Sequence, residues 1–418
     1  MKKLSIIALA ALLVIAFTLP ASAVENIFGG YWRTRMFSQM DFTGDDSEDQ
    51  DLSVVDTRTR LYYTAKFSDN LKLVNKFEMD AVWGSNTTNA AGDSGYGDIG
   101  ADGIRVEVKN SYADFNLGEM VNAKVGVQDY VIAKGFVFDD DGAGVRLNFK
   151  AGMADIPIWW IKFNEGGMGE GANDYDWDGF AIYPSIKVAD GMTIKPHVFY
   201  LYANKSLLVD ADGVVLDDDV ETSIYTVGLE FDGKVGPAAF GLTGIYQGGT
   251  IDYSVGTDSD ISAYLAAVTA GMDFGPVNVH GEFMYASGDE DADDDIESFV
   301  IIPGVSHYWA EIMGYGLFDN QTSNGAPANK ISNLLAGNVG VSAKVMEKVK
   351  LSFDVWYAML AEENAVGDDE LGTELDFRAT IPVVDKLNLD LVAAYLFAGD
   401  VTGDEDPIEL GAQLSLAF

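Results

Sequence analysis

Seven arginines occur in the chain, and four of them stand in pairs with one residue between: Arg33 with Arg35, and Arg58 with Arg60. Arg105, Arg146 and Arg378 complete the set. Lys76 and Lys109 extend the same pattern, interleaved with Glu78, Asp80 and Glu107. A spacing of two puts side chains on one face of an extended strand. A strip of cations with carboxylates opposite can do one of two things. It can set a field that orients or selects charged solutes, or it can lock into a lattice of salt bridges that keeps a polar surface stiff. Both readings stay open on the residues alone.

Other constellations are weaker. Asp174, Asp176 and Asp178 followed by Gly179 reproduce the opening of a calcium loop, with oxygen donors at alternate positions. Ser185 stands where that motif needs its bidentate Glu, so a partial, weak Ca2+ site at the acidic loops is the most that follows, and no other cofactor is expected. Of the three histidines, His280 shares a strand face with Asn278 and Glu282. No nucleophile-elbow serine accompanies it and no glycine-rich phosphate loop exists, so the chain is not expected to be an enzyme.

The elements that must position these residues are strands. Trp32, Thr34, Met36 and Met40 alternate with Arg33, Arg35, Gln39 and Asp41; Val55, Leu61, Tyr63, Ala65 and Phe67 oppose Asp56, Arg58, Arg60, Thr64 and Lys66. The same period runs through 350–357 and 374–381. Between the strands, short links (68–70, 117–120, 153–156, 189–191, 231–236, 274–276, 346–348, 382–386) alternate strictly with longer ones rich in Asp, Glu, Gly and Asn. The longer set is 44–51, 84–102, 139–142, 165–176, 204–219, 248–260, 288–330, 362–370 and 399–406. A soluble sandwich has no reason to show that asymmetry, whereas a transmembrane barrel does. Eight turns and nine loops predict an all-β, antiparallel up-and-down barrel of eighteen strands, within a range of sixteen to twenty. The arginine face must then line the lumen, since Arg facing lipid near midplane costs on the order of 2–4 kcal/mol.

Composition agrees. Lys2 and Lys3, an apolar run from Leu4 to Leu19 and the Ala21-Ser22-Ala23 triplet predict a signal peptide over 1–23 and one barrel over 24–418. No later apolar run, such as 156–161 or 299–305, is long enough for a spanning helix. The chain has no cysteine, hence no disulfide. Its 66 acidic against 26 basic residues give a net charge of −40, which excludes nucleic acid as a partner. That field favours a weak cation preference, against the anion preference a basic strip would give. Two stretches are apolar enough to turn inward and narrow the lumen: 299–318 in the longest loop, and 136–141 in the third.

The last segment alternates Ile408, Leu410, Ala412, Leu414 and Leu416 with polar residues and stops on Phe418. In this it resembles the Gram-negative outer-membrane porin superfamily, whose final strand ends in phenylalanine as an assembly signal. Eighteen strands are similar to sugar-specific porins, substrate-specific basic-ladder channels and alginate-export barrels. The resemblance implies residence in the outer membrane among lipid and lipopolysaccharide, assembly by the barrel-assembly machinery through Phe418, and passive diffusion of ions and small hydrophilic solutes. A homotrimer, a channel specific for organic acids or saccharides, and a sheath around an electron-transfer protein remain alternatives.

Overall fold

The computed structural model describes residues 24–45, 51–85, 97, 99–100, 104–166, 176–204, 220–253, 257–289, 295–346 and 348–418. The expected signal peptide and Asp174 lie outside them. The strands are β1 (Glu25–Met40), β2 (Leu52–Ser68), β3 (Leu71–Val82), β4 (Glu107–Leu117), β5 (Val121–Ile132), β6 (Phe138–Ala151) and β7 (Ala154–Asn164). Next come β8 (Trp177–Ile182), β9 (Ser185–Ala189), β10 (Met192–Ala203), β11 (Glu221–Val235), β12 (Ala238–Asp252) and β13 (Ser259–Phe274). The last six are β14 (Val277–Ala286), β15 (Leu334–Lys344), β16 (Lys350–Met359), β17 (Glu370–Val384), β18 (Leu387–Ala398) and β19 (Ile408–Ala417).

Every neighbouring pair is antiparallel. β8 and β9 flank Pro184, which has no N–H to give the ladder, and both pair with β7 and with β10. The nineteen strands therefore fill eighteen positions. β1 pairs with β2 on one side and β19 on the other, which closes the ring. Phe418 completes the seam: its N–H donates to the Gly30 carbonyl at 3.1 Å, and the Gly30 N–H donates back at 2.9 Å. Closure leaves the sheet without a free edge, a requirement for strands that cross lipid. The outer face carries Met36, Leu61, Leu229, Leu242, Val268, Phe283, Phe353, Phe377 and Leu410, all exposed. So continuous an apolar surface is unfavourable in water and favourable in a bilayer.

Five predicted boundaries need correction, the plainest being the link expected at 382–386, which is strand up to Val384. The third turn lies between β6 and β7 at 152–153 rather than 153–156, and β7 carries Pro157 opposite Asn148. The link expected at 231–236 is strand up to Val235, because Asp232 pairs in register with Gly241 and Gly233 with Phe240. β12 and β13 likewise extend into 248–260. The acidic run 139–142, loop-like in composition, belongs to β6 and pairs residue for residue with 128–131 of β5. The third outer loop, L3, is instead 133–137, with a short 3-10 turn at Ala133–Gly135.

Candidate functional site

The longest outer loop, L7, described over 287–289 and 295–333, enters the lumen. Its Phe299, Ile302, Ile312, Met313, Phe318 and Ile331 are each no more than 2% exposed. The first four and Ile331 join one cluster with inner-wall residues of β10 to β18, among them Leu201, Ile224, Leu265, Met284, Trp356 and Leu396. Phe318 stacks on Phe37 of β1 with ring centroids 4.8 Å apart. Burial on this scale stabilises the seated loop by about 1.5–3 kcal/mol per large apolar side chain.

Polar anchors place L7. Glu374 of β17, fully buried, accepts the Ile312 and Met313 N–H groups at 2.7 and 2.9 Å. Gln247 of β12 exchanges two hydrogen bonds with Val300. Arg35 donates to the Phe318 carbonyl at 2.7 Å and pairs with Asp319. Within the loop, Glu311 accepts the Leu317 N–H at 2.6 Å, and burial pushes its carboxyl above the usual range.

L3 also points inward and meets L7. Phe136 stacks on His307 with centroids 3.9 Å apart, and the Ser306 N–H donates to the Gly135 carbonyl. Gly135 has φ 92°, and a Cβ there would sit 1.8 Å from the Ser306 carbonyl oxygen, so only glycine fits this crossing. The inward lean begins at Gly126 of β5, at φ 131°, where β5 leaves its last pairings with β4 at Ser111. Before it Val125 faces outward, 43% exposed; after it Asp129, at the same parity, lines the lumen. A glycine with positive φ inside a strand re-aims the side chains that follow.

Between the β2–β6 wall and the two loops lies a cavity of about 720 Å³. Arg58, Arg60, Lys76 and Lys109 line it from β2, β3 and β4. Asp129 and Asp139, Asp140 and Asp141 line it from β5 and β6, and Ser306, Tyr308, Asn329 and Lys330 from L7. The two signs touch at Lys76–Asp129, 3.7 Å, and at Lys109–Asp141, 3.3 Å.

The four paired arginines come together as expected, but each meets a carboxylate. Arg33 lies 3.5 Å from Asp319, and Arg35 is 2.6 Å from Asp56. Arg58 is 2.6 Å from Asp80, and Arg60 contacts the buried Glu78. Glu107 lines an adjoining cavity of about 320 Å³ with Arg33, Arg35, Glu78 and Asp80. Arg146 lies apart from them, its guanidinium carbon 5.1 Å from the Trp159 ring, against a third cavity of about 430 Å³. Arg378 of β17, three strand positions from β1 on the other side of the seam, pairs with Asp390 at 3.0 Å. Arg105 corrects the strand reading: it precedes β4 and is exposed.

Asp176 and Asp178, two of the calcium-loop residues, both surround the Lys162 ammonium, at 3.2 and 3.3 Å, with Glu165 at 3.1 Å. The Lys162 hydrogen bond holds the Asp176 carboxyl below the usual range. His280, Asn278 and Glu282 share one face of β14; His280 bonds to Asn278 and Asp354, whereas Glu282 faces His307 at 3.4 Å. Sequence reasoning missed Asp129, Lys330 and Tyr308. Gly126 inside the β5 pattern was the available sign that parity changes before Asp129.

A closed eighteen-stranded barrel, apolar outside and with a charged, partly filled lumen, is an outer-membrane channel protein of the porin type. The chain belongs to the alginate export family, whose model matches residues 24–412. Among solved structures it is similar in fold to OccK9 (OpdG) of Pseudomonas aeruginosa, with 12% identity, a TM-score of 0.61, and coverage of 94% of this chain and 99% of that one. OccAB1 of Acinetobacter baumannii is similar too, at 11% identity and a TM-score of 0.57, covering 96% and 99%. No curated protein sequence matches the chain. Family and fold are those of channels rather than enzymes.

Proposed function

We propose that this protein is a passive diffusion channel whose open path is eccentric, running along the β2–β6 wall through the charged cavity. The observation that carries the reading is the uneven packing of L7: its apolar face joins L3 and inner-wall residues from β5 round to β18, and leaves the β2–β4 wall and the carboxylates of β5 and β6 that face it polar and wettable. Small hydrophilic solutes suit a space of this size, which lies within the usual range for small-molecule sites. Alginate, from which the family takes its description, would be a polyanion. The pairing of Arg33, Arg35, Arg58 and Arg60 with four carboxylates supports it less than it supports small solutes. A sheath for a threaded protein would need the bore that L7 occupies, and no catalytic step is assigned to the lumen. Residues 1–23 as a cleaved leader and Phe418 as an assembly signal belong to the same reading.

Purified protein in planar bilayers should give discrete, ohmic conductance steps. A barrel that inserts, judged by its heat-modifiable gel mobility, yet passes no current would overturn the proposal.

A further inference from the structure

The charges around the cavity are sorted. Arg58, Arg60, Lys76 and Lys109 sit on consecutive strands β2, β3 and β4, and Asp129, Asp139, Asp140 and Asp141 on β5 and β6. A lattice that only stiffened the wall would alternate signs, as Arg58, Asp80 and Glu78 do between β2 and β3. Here the inward lean of the β5–β6 hairpin after Gly126 turns an acidic bank toward a basic one. The banks touch at the two Lys–Asp contacts. Among the described residues no cation pairs with Asp139 or Asp140, and no carboxylate pairs with Lys330, which lines the same cavity from L7. Fixed charges of both signs thus remain available to a solute.

We infer that this cavity selects zwitterionic solutes of amino-acid size, the carboxylate turned toward Lys330 and the ammonium toward Asp139 and Asp140, with the paired charges of the two banks adding the field around them. The inference rests on the diffusion-channel reading and names its substrate class. A monovalent ion gains from one bank and is repelled by the other. A neutral solute gains from neither. A zwitterion aligned across the gap gains from both, and it replaces water around charges that are already there without adding net charge to a narrow space. A cavity of about 720 Å³ holds such a solute with part of its hydration shell.

The test is swelling of proteoliposomes containing the full chain, in β-alanine and in lactamide, two isomers of which only the first is zwitterionic. Rates are corrected by protein-free vesicles. β-Alanine should enter about tenfold faster at low salt, the factor that 1.4 kcal/mol gives. The ratio should fall toward one at 1 M salt, where the screening length shrinks to about 3 Å. The triple variant Asp139→Asn, Asp140→Asn, Lys330→Gln should bring the ratio close to one at every salt concentration. Equal rates for the two isomers in the unmodified protein overturn the zwitterion inference while leaving the channel standing. Swelling in neither isomer, with the barrel folded by gel mobility, removes the channel reading and this inference with it. If the triple variant does not fold, the ratio and its salt dependence in the unmodified protein still decide.

Discussion

The two sides of the lumen are built on opposite rules. Along β13, Ile261, Ala263, Leu265 and Ala267 point inward and are buried beneath L7, while Tyr264, Val268 and Met272 point outward. Both faces of that strand are apolar. Along β2, Arg58 and Arg60 point inward and Leu61 outward, so one face is ionic and the other greasy. The inner face of a barrel strand is thus continuously charged where water reaches it and mostly apolar where L7 covers it, apart from anchors such as Glu374 and Gln247 that bond to the loop. Strict alternation in the sequence marks wet wall, and weakened alternation marks wall that another part of the chain covers.

The largest effect should come from removing that cover. Replacing 299–331 by a short Gly-Ser linker exposes the inner wall of β10 to β18 and should raise single-channel conductance several-fold, with a drop in the temperature at which the compact gel band disappears. Unchanged conductance would mean that L7 does not bound the path.

A smaller break is Phe318→Ala. It removes the partner of Phe37 and leaves a void in a site with no exposure; such truncations cost about 3–5 kcal/mol. One end of L7 should loosen, seen as excess open-channel noise and a softer gel band. Quiet currents and normal heat resistance would place the seat of L7 elsewhere.

On the wet side, exchanging Arg33, Arg35, Arg58 and Arg60 for Gln leaves Asp56, Glu78, Asp80 and Asp319 without their partners. Reversal potentials in a salt gradient should move toward cations, and Glu78, buried between two arginines, should make the barrel less heat-resistant at the same time. A shift in selectivity with undiminished heat resistance would show that the pairs carry no structural load.

How much of this was legible in the sequence follows from the same contrast. Strand number, closure and the lipid-facing residues of β1, β2 and β19 could be read because their alternation is local. The acidic run 139–142 was misplaced because composition signals a loop, whereas its pairing with 128–131 depends on a hairpin that leans inward from a single glycine. L7's apolarity was visible, but its docking was not. Arg35 grips a carbonyl 283 residues away and Glu374 caps N–H groups 61 and 62 residues away, contacts that no local pattern encodes. The arginine strip was visible as a strip and its pairing with Glu78 and Asp80 stood as one of two open readings, but the part of Asp319 was not legible, because it reaches the strip from L7.

The smallest expected effect concerns pH and belongs to the covered side. Glu311 lies in L7, outside the strands, and its carboxyl is raised above the ordinary range chiefly by burial; the Leu317 N–H and Arg378 oppose the rise, while Glu374 and Asp354 add to it. A carboxyl whose value is raised in the seated loop favours that seat when protonated. Its contribution is complete below the ordinary glutamate range, near 4.3, and is lost as pH rises through the raised value. Acidification from neutral pH should therefore quiet the open-channel noise that L7 generates. Glu311→Gln keeps an oxygen for the Leu317 N–H and removes the titration, so it should be quiet at neutral pH and insensitive to acid. Noise that grows on acidification, or an acid response that survives in the Gln variant, would mean that another group governs the seat of L7.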